Sequence, residues 1–189
     1  MSWWPPLRKA SGESLAVSMA GVKLGDRLLV IGCSDPLLIA QLAGKTGLTG
    51  RTVAVDEREP VVAAAADVAA REGVLLETFT VPLNALSLDT ESFDVVIVRD
   101  VFPHVDATTR ATCLGEVRRV LRAGGRCLVI DGTVRGFLPR VRSDAVEGDY
   151  ATAGGPAGTL TTQGFKAARV LAERDGLVFA EAVKPVAGQ

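Results

Sequence analysis

Residues 30–38 read "VIGCSDPLL", and how this stretch is parsed decides the organisation of the whole chain. The segment that runs into it, "RLLVI" (27–31), is short, apolar and partly β-branched, as a strand buried on both faces requires. The segment that follows, "DPLLIAQLAGKTG" (35–47), reads as a helix, with Asp35 suited to the N-cap and Pro36 to the first helical position. Gly32 lies between the two. Open α/β proteins use such a strand–glycine–helix turn to hold a nucleotide beyond the carboxyl ends of the strands. A nucleotide-binding turn is usually richer in glycine than one containing Ser34, Asp35 and Pro36. The turn is therefore either a ligand site or a well-capped corner, and the two roles do not exclude each other.

Outward from this corner the chain alternates. "RTVAVD" (51–56) is a second strand, and "EPVVAAAADVAAREG" (59–73) an alanine-rich helix with Pro60 in its first turn and Gly73 beyond its end. "VLLETFTV" (74–81) reads as a third strand and "FDVVIV" (93–98) as a fourth. "DATTRATCLGEVRRVLRAGG" (106–125) is an amphipathic helix, capped by Asp106 and ended by Gly124 or Gly125, and "RCLVID" (126–131) is a fifth strand. Strands alternating with helices imply parallel pairing through right-handed crossovers. Residues 10–20 form a helix against the first strand. Residues 132–158 read as loop with one short helix. In "FKAARVLAERDGLVFAEAVK" (165–184), Asp175-Gly176 marks an antiparallel hairpin, although the first half also fits a helix.

Composition narrows the function classes. Hydrophobic residues make up 48% of the 189, which suits a globular chain with a sizeable core. The net charge of −1 offers no bulk attraction to nucleic acid or acidic membranes. Cys33, Cys113 and Cys127 are odd in number and far apart, with neither zinc spacing nor a disulfide framework, so no metal and a reducing, cytoplasmic location are expected. No apolar run reaches membrane-spanning length, and "MSWWPPLRKA" (1–10) lacks the apolar core of a secretory signal.

The order strand–glycine turn–helix–strand–Asp56 resembles the class I S-adenosylmethionine-dependent methyltransferases over about residues 20 to 184. "AGVKLGDRLLVIGC" (20–33) is similar to that family's first strand and cofactor turn, and "TVAVDERE" (52–59) to its second strand with a ribose-binding acid. "LSLDTESFDVVIVRDVFPHV" (86–105) is similar to its approach to the active-site mouth. "LGEVRRVLRAGGRCLVID" (114–131) is the most specific match. The resemblance implies an α/β, Rossmann-like, doubly wound fold. Its seven-stranded sheet is mostly parallel, with helices on both faces and a C-terminal antiparallel hairpin. The whole of 1–189 would form one domain: an N-terminal helical segment (1–22), a cofactor-binding core (23–131), a loop and short-helix region (132–164) and the terminal hairpin (165–184).

The resemblance further implies transfer of a methyl group from S-adenosylmethionine to a small-molecule acceptor, with Gly32, Cys33, Ser34, Asp35, Asp56, Glu57, Leu83, Asn84 and Arg99 as the cofactor's neighbours. Departures from the family pattern stand at Val30, Ser34, Pro36 and Pro82. They motivate a second reading, a methyltransferase-like module that binds or assembles without catalysis. Asp35 would serve as helix cap, or meet the ammonium of the cofactor's methionine part. A left-handed backbone at Ser34 would cost roughly 1–2 kcal/mol, which glycine would relieve. Asp56 is expected at an exposed strand end. The lone His104 is a candidate general base, flanked by Asp100 and Asp106. Cys33 is expected to act through its backbone with its thiol buried. Tyr150 could line a pocket. Arg135, Arg140 and Arg142 could meet an anionic substrate, and Trp3 and Trp4 could close over a pocket or pack on the body. Short substrate covers point to an open site or to one completed by a second subunit, as in a homodimer.

Overall fold

A computed structural model describes residues 14–132 and 144–186. In chain order the elements are α1 (Leu15–Ala20), β1 (Arg27–Ile31), α2 (Pro36–Thr46), β2 (Arg51–Asp56), α3 (Glu59–Glu72), β3 (Glu77–Thr80) and β4 (Phe93–Arg99). A 3-10 turn (Phe102–His104) follows, then α4 (Ala107–Val120), β5 (Leu121–Gly132), α5 (Asp144–Thr152), α6 (Gly155–Thr162), β6 (Lys166–Arg174) and β7 (Leu177–Val183). The strands form one sheet in the order β3-β2-β1-β4-β5-β7-β6. The first five are parallel, and β7 runs antiparallel to both β5 and β6. This is the Rossmann-like methyltransferase architecture that the sequence implied.

Alternation along the strands builds the two cores. Leu29 and Ile31 of β1 face α4 and α6, in a cluster with Cys113, Leu114, Val117 and Leu160. Leu28 and Val30 face the other way, onto Val17, Ile39, Leu42 and Ala65 of α1, α2 and α3. Because both faces are covered, β1 has no polar face to show and reads as an unbroken apolar run. The sheet order reverses at β1, whose neighbours are β2 on one side and β4 on the other. The crevice beyond that point is where ligands bind in open α/β sheets.

Three expectations change. The third strand covers only Glu77–Thr80, because the N–H of Val74 is spent on the Ala69 carbonyl in closing α3. Helix α4 ends at Val120 and not at the glycine pair. Leu121 is fully buried and already extended (φ −68°, ψ 136°), paired with Phe93. The chain then bulges through 122–125 before Arg126 pairs with Val95, and Lys184 bridges the bulge by bonds to the backbone of Gly124 and Gly125. In the 144–162 region two helices stand where one was expected. Scattered glycines hide their periodicity, and only packing of Tyr150, Pro156 and Leu160 inward reveals it. Of the N-terminal helix, the described part begins at Leu15, capped by the Ser14 hydroxyl. Trp3, Trp4, Arg135, Arg140 and Arg142 lie outside the described residues.

The terminal hairpin turns on Asp175 (φ 55°) and Gly176 (φ 76°), two left-handed residues that match the strands' twist. At the opposite end of the fold's logic stands Gly32. Its φ is +93°, and a Cβ there would lie 2.2 Å from the Arg99 carbonyl oxygen and 2.8 Å from Val101 Cγ2. The close approach of the β1 turn to the end of β4 therefore requires glycine. Gly32→Ala should lower stability by about 3 kcal/mol or more, from strain and overlap together, measured by chemical unfolding. A loss under about 1 kcal/mol would show that the two strand ends are free to part.

Candidate functional site

A cleft of about 610 Å³ opens at the carboxyl ends of β1, β2 and β4, lined by Ser34, Asp35, Asp56, Glu57, Arg58, Leu83, Arg99, Asp100, Val101, His104 and Val105. Of the residues expected around a cofactor, Ser34, Asp35, Asp56, Glu57, Leu83 and Arg99 are brought together here, with His104. Gly32, Cys33 and Asn84 are not part of the lining; Gly32 and Cys33 are buried beneath it, and Asn84 is exposed.

The turn is built from its helix. Asp35 caps α2, accepting the Leu38 N–H at 3.1 Å, with Pro36 in the first turn. The capping role expected from sequence is therefore present, and Asp35 lines the cleft as well. Ser34 does not have a left-handed backbone. The non-glycine residues of positive φ among those described are Ser87, Glu91, Asp100, Ala167 and Asp175. The strain expected at Ser34 is absent, because Gly32 alone takes the left-handed step and the chain is already turned when it reaches Ser34. Burial pushes the Cys33 thiol up to about 12, and its backbone N–H is committed to Asp56 Oδ2 at 2.9 Å.

Asp56 overturns the expectation of an exposed strand end. It is 5% exposed. Its Oδ2 accepts the Cys33 N–H at 2.9 Å and Arg58 Nη2 at 2.8 Å; its Oδ1 accepts the Arg58 N–H at 3.0 Å and Arg58 Nε at 2.9 Å. Burial acts to raise the pKa of this carboxyl. The bonds from Arg58 and Cys33 outweigh it and hold the group below the usual carboxylate range. Arg58 thus clasps the very acid expected to receive a ribose, while its own side chain is 61% exposed. Sequence reasoning missed this arginine, although its place two residues after a strand-end acid was the available signal. Glu57 accepts the Leu83 N–H at 3.0 Å, tying the second strand's end to the loop after β3.

The β4 end supplies the other wall. Arg99 donates to the Ile130 carbonyl at 3.3 Å, and its Nε is buried without a partner among the described residues. Asp100 holds a left-handed φ of 52°, and its carboxylate lies 3.3 Å from His104 Nε2. Four carboxylates (Asp35, Asp56, Glu57, Asp100) and two guanidinium groups (Arg58, Arg99) line the cleft, and Arg58 is paired with Asp56. That balance favours a ligand bearing positive charge and hydroxyl donors.

Behind this wall sits a second constellation, of which the sequence offered Tyr150 as a pocket-lining residue but not Asp131. Tyr150 of α5 donates to Asp131 Oδ2 at 2.6 Å. The Tyr150 ring meets Phe102 edge-on, and the Arg110 guanidinium lies 4.5 Å from its centre. Asp131 is wholly buried, and its Oδ1 has no partner among the described residues. Burial raises its pKa to about 7; the Tyr150 bond opposes the rise and the Asp100 charge adds to it.

Comparison with known proteins bears on this geometry. Residues 29–129 match the model of the methyltransferase domain family. The chain is 27% identical over 118 residues to the ubiquinone/menaquinone biosynthesis C-methyltransferase UbiE of Hydrogenovibrio crunogenus (strain DSM 25203 / XCL-2), covering 61% of this chain and 46% of the relative. It is 31% identical over 157 residues to the methyltransferase GfsG of Streptomyces halstedii, covering 77% of this chain and 55% of that one. The chain thus spans about half the length of these curated relatives. A SAM-dependent methyltransferase structure from Aquifex aeolicus superimposes with a TM-score of 0.74 at 18% identity, covering 88% of this chain and 86% of the other, a likeness of fold.

Two outcomes follow from the buried carboxylates. Asp56→Ala should cost about 2 kcal/mol of stability, chiefly because the Cys33 N–H is left unpaired in the interior. Arg58→Ala should cost far less, its ion pair being screened by solvent. Equal unfolding midpoints for the Asp56 variant and the parent would contradict the clasp. Asp131 holds its proton more tightly folded than unfolded. Its contribution to stability is therefore greatest below about pH 4 and is lost as pH rises from about 4 to about 7. Asp131→Asn should remove that slope, so the difference in unfolding free energy between variant and parent should change by about 2–4 kcal/mol across the window. A difference that stays flat with pH would mean the carboxyl titrates normally.

Proposed function

The chain belongs to the methyltransferase domain family, and from that premise we propose that it binds S-adenosylmethionine in the cleft at the ends of β1, β2 and β4 and transfers its methyl group to a small-molecule acceptor. The observation that carries this is the convergence of Ser34, Asp35, Asp56, Glu57, Leu83 and Arg99 on one cleft at the switch point of the sheet. At about 610 Å³ the cleft is within the range of cofactor pockets. Its donor set fits the cofactor: carboxylates for hydroxyl and ammonium donors, and the Ser34 hydroxyl at the opening of α2 for a carboxylate. When bound, the cofactor supplies a methyl group on a positively charged sulfur.

The protein's part is to bind and orient. Asp56 is the group for the ribose hydroxyls, with Gly32 and Cys33 acting beneath it through backbone geometry. Asp35 and Asp100 place negative charge beside a cationic ligand. His104 is held by Asp100 at the mouth, where it can take a proton from an acceptor. Methyl transfer depends first on positioning, which a rigid sheet edge supplies. The free, buried thiols of Cys33, Cys113 and Cys127 suit a cytoplasmic setting. Among the described residues no helix is long and apolar enough to cross a membrane. A homodimer that completes the open cleft accords with this reading.

One observation favours the second reading, a non-catalytic module: every direction in which Asp56 could receive a ribose hydroxyl is taken by Cys33 or Arg58. Calorimetric titration of S-adenosylmethionine into the parent and into Arg58→Ala separates the two. If the site is a working one in which the ligand must displace the guanidinium, the parent binds and the variant binds about three- to tenfold more tightly. No heat from either protein at millimolar cofactor supports the module. Tighter binding by the parent than by the variant would mean that Arg58 holds the ligand itself.

A further inference from the structure

A second cavity, of about 250 Å³, adjoins the cleft on the α5–α6 side of the sheet. Its walls are mostly apolar or without side chains: Pro103, Ala151, Pro156 and Val178, with Gly154 and Gly155 at the start of α6. Val170 on β6 is 45% exposed at its rim. Asp131 and Tyr150 form its polar end. Such a pocket, apolar with one directed polar group, is the usual form of a small-ligand site.

The polar end is incomplete. A carboxylate has room for about four hydrogen bonds. The Tyr150 hydroxyl fills one position on Oδ2, and Oδ1 has no partner among the described residues although the residue is fully buried. Buried acceptors are nearly always satisfied, and one that is not calls for a ligand donor. The cavity's other carboxylate, Glu173 of β6, is exposed, whereas Asp131 is buried against apolar lining, where a cationic donor would lose its hydration. A neutral hydroxyl meets the requirement. The opening of α6, which has no side-chain cap, is part of the same wall; the Gly154 N–H is spent on the Ala151 carbonyl and Pro156 has none, so the Gly155 N–H is the backbone donor it offers to the hydroxyl's oxygen.

The cavity also lies where an acceptor is needed. Asp100 and His104 line the main cleft, Pro103 between them in the chain lines the second cavity, and a Cβ on Gly132 would be 4.0 Å from Asp100 Oδ1. Only the β4 end and the 3-10 turn separate the two spaces. We propose that this cavity is the acceptor subsite and takes a small apolar alcohol, one ring with substituents, whose hydroxyl donates to Asp131 Oδ1 beside Tyr150. Its role as acceptor subsite rests on the methyl-transfer reading; its selectivity for an alcohol does not. Asp131 is here a positioning and substrate-binding residue. The groups that face it are Tyr150 from α5, Arg99 and Asp100 from the end of β4, and Glu173 from β6 across the cavity, with Arg110 behind the tyrosine ring.

Menthol and menthone test it, since they share a skeleton and only the alcohol can donate. Each is titrated into the 15N-labelled full chain at about pH 8.5, where the carboxyl is ionised. Amide shifts of Gly132, Gly154 and Gly155 report binding. Menthol should bind about tenfold more tightly than menthone. Asp131→Asn should abolish that preference. Ala151→Phe, which adds bulk to the cavity wall on α5 away from the main cleft, should weaken both probes at least about tenfold. Equal affinity for the two probes, shifts that avoid these glycines, or binding unaffected by Ala151→Phe each overturns the proposal. S-adenosylmethionine is titrated separately into the same proteins. Cofactor binding without alcohol selectivity removes only the acceptor site; alcohol selectivity without cofactor binding removes the methyl-transfer reading and leaves the cavity as an alcohol site.

Discussion

The Asp56 carboxylate joins the elements on which everything else at the sheet's edge depends. It is nearly buried, and one of its oxygens holds the Cys33 N–H at the end of the β1 turn. The turn itself is pressed against β4 at Gly32, where there is no space for a side chain. Beyond the pairing of the sheet itself, the three strand ends are drawn together by the Asp56 acceptor and by the missing Cβ of Gly32. Asp35 then starts α2, and Glu57 secures the loop after β3. The cleft is the space left when these constraints are met. Its dimensions are a consequence of backbone geometry, and its charge of the side chains that remain.

That charge is uneven in a useful way. Asp56 is kept ionised by donors packed around it, whereas burial drives Asp131 toward its neutral form. Two aspartates at the same edge of one sheet thus behave oppositely. The difference comes from partners: among the described residues, Asp56 accepts four hydrogen bonds, two from backbone and two from a guanidinium, and the bond Asp131 accepts is from a tyrosine. A carboxylate with four donors is already satisfied, and a ligand must compete for it. A carboxylate with one donor in an apolar cavity is unsatisfied, and a ligand can complete it. Arg58, largely in solvent, is the partner most easily displaced, since screening leaves its ion pair worth little.

The sheet was legible in the sequence because its strands are buried on both faces and so appear as uninterrupted apolar runs; "RLLVI" and "FDVVIV" mark β1 and β4 with little ambiguity. Asp35 and Asp106 announced their helices because a cap acts over three residues. Asp175-Gly176 announced the hairpin because two left-handed residues in succession suit a tight turn. Local chemistry was enough wherever the deciding interaction was local. It failed at the edges. The short β3 and the early end of α4 were set by pairing and burial against distant segments, of Leu121 on Phe93 above all. The two helices over 144–162 were hidden by glycines that tertiary packing overrides.

The candidate site divides along the same line. The sequence by itself determined which turns meet at the carboxyl ends of β1, β2 and β4, because a parallel sheet with this strand order carries its turns to one edge whatever the side chains do afterwards. Only the tertiary structure decided what those residues do there: that Asp56 is buried and clasped by Arg58, that Ser34 bears no backbone strain, and that Asp131 faces Tyr150 with one oxygen unpaired among the described residues. The reason is that hydrogen-bond satisfaction and desolvation are properties of three-dimensional neighbourhoods. A carboxylate is the same letter in the chain whether four donors or one will surround it, and the count is fixed only when distant segments pack.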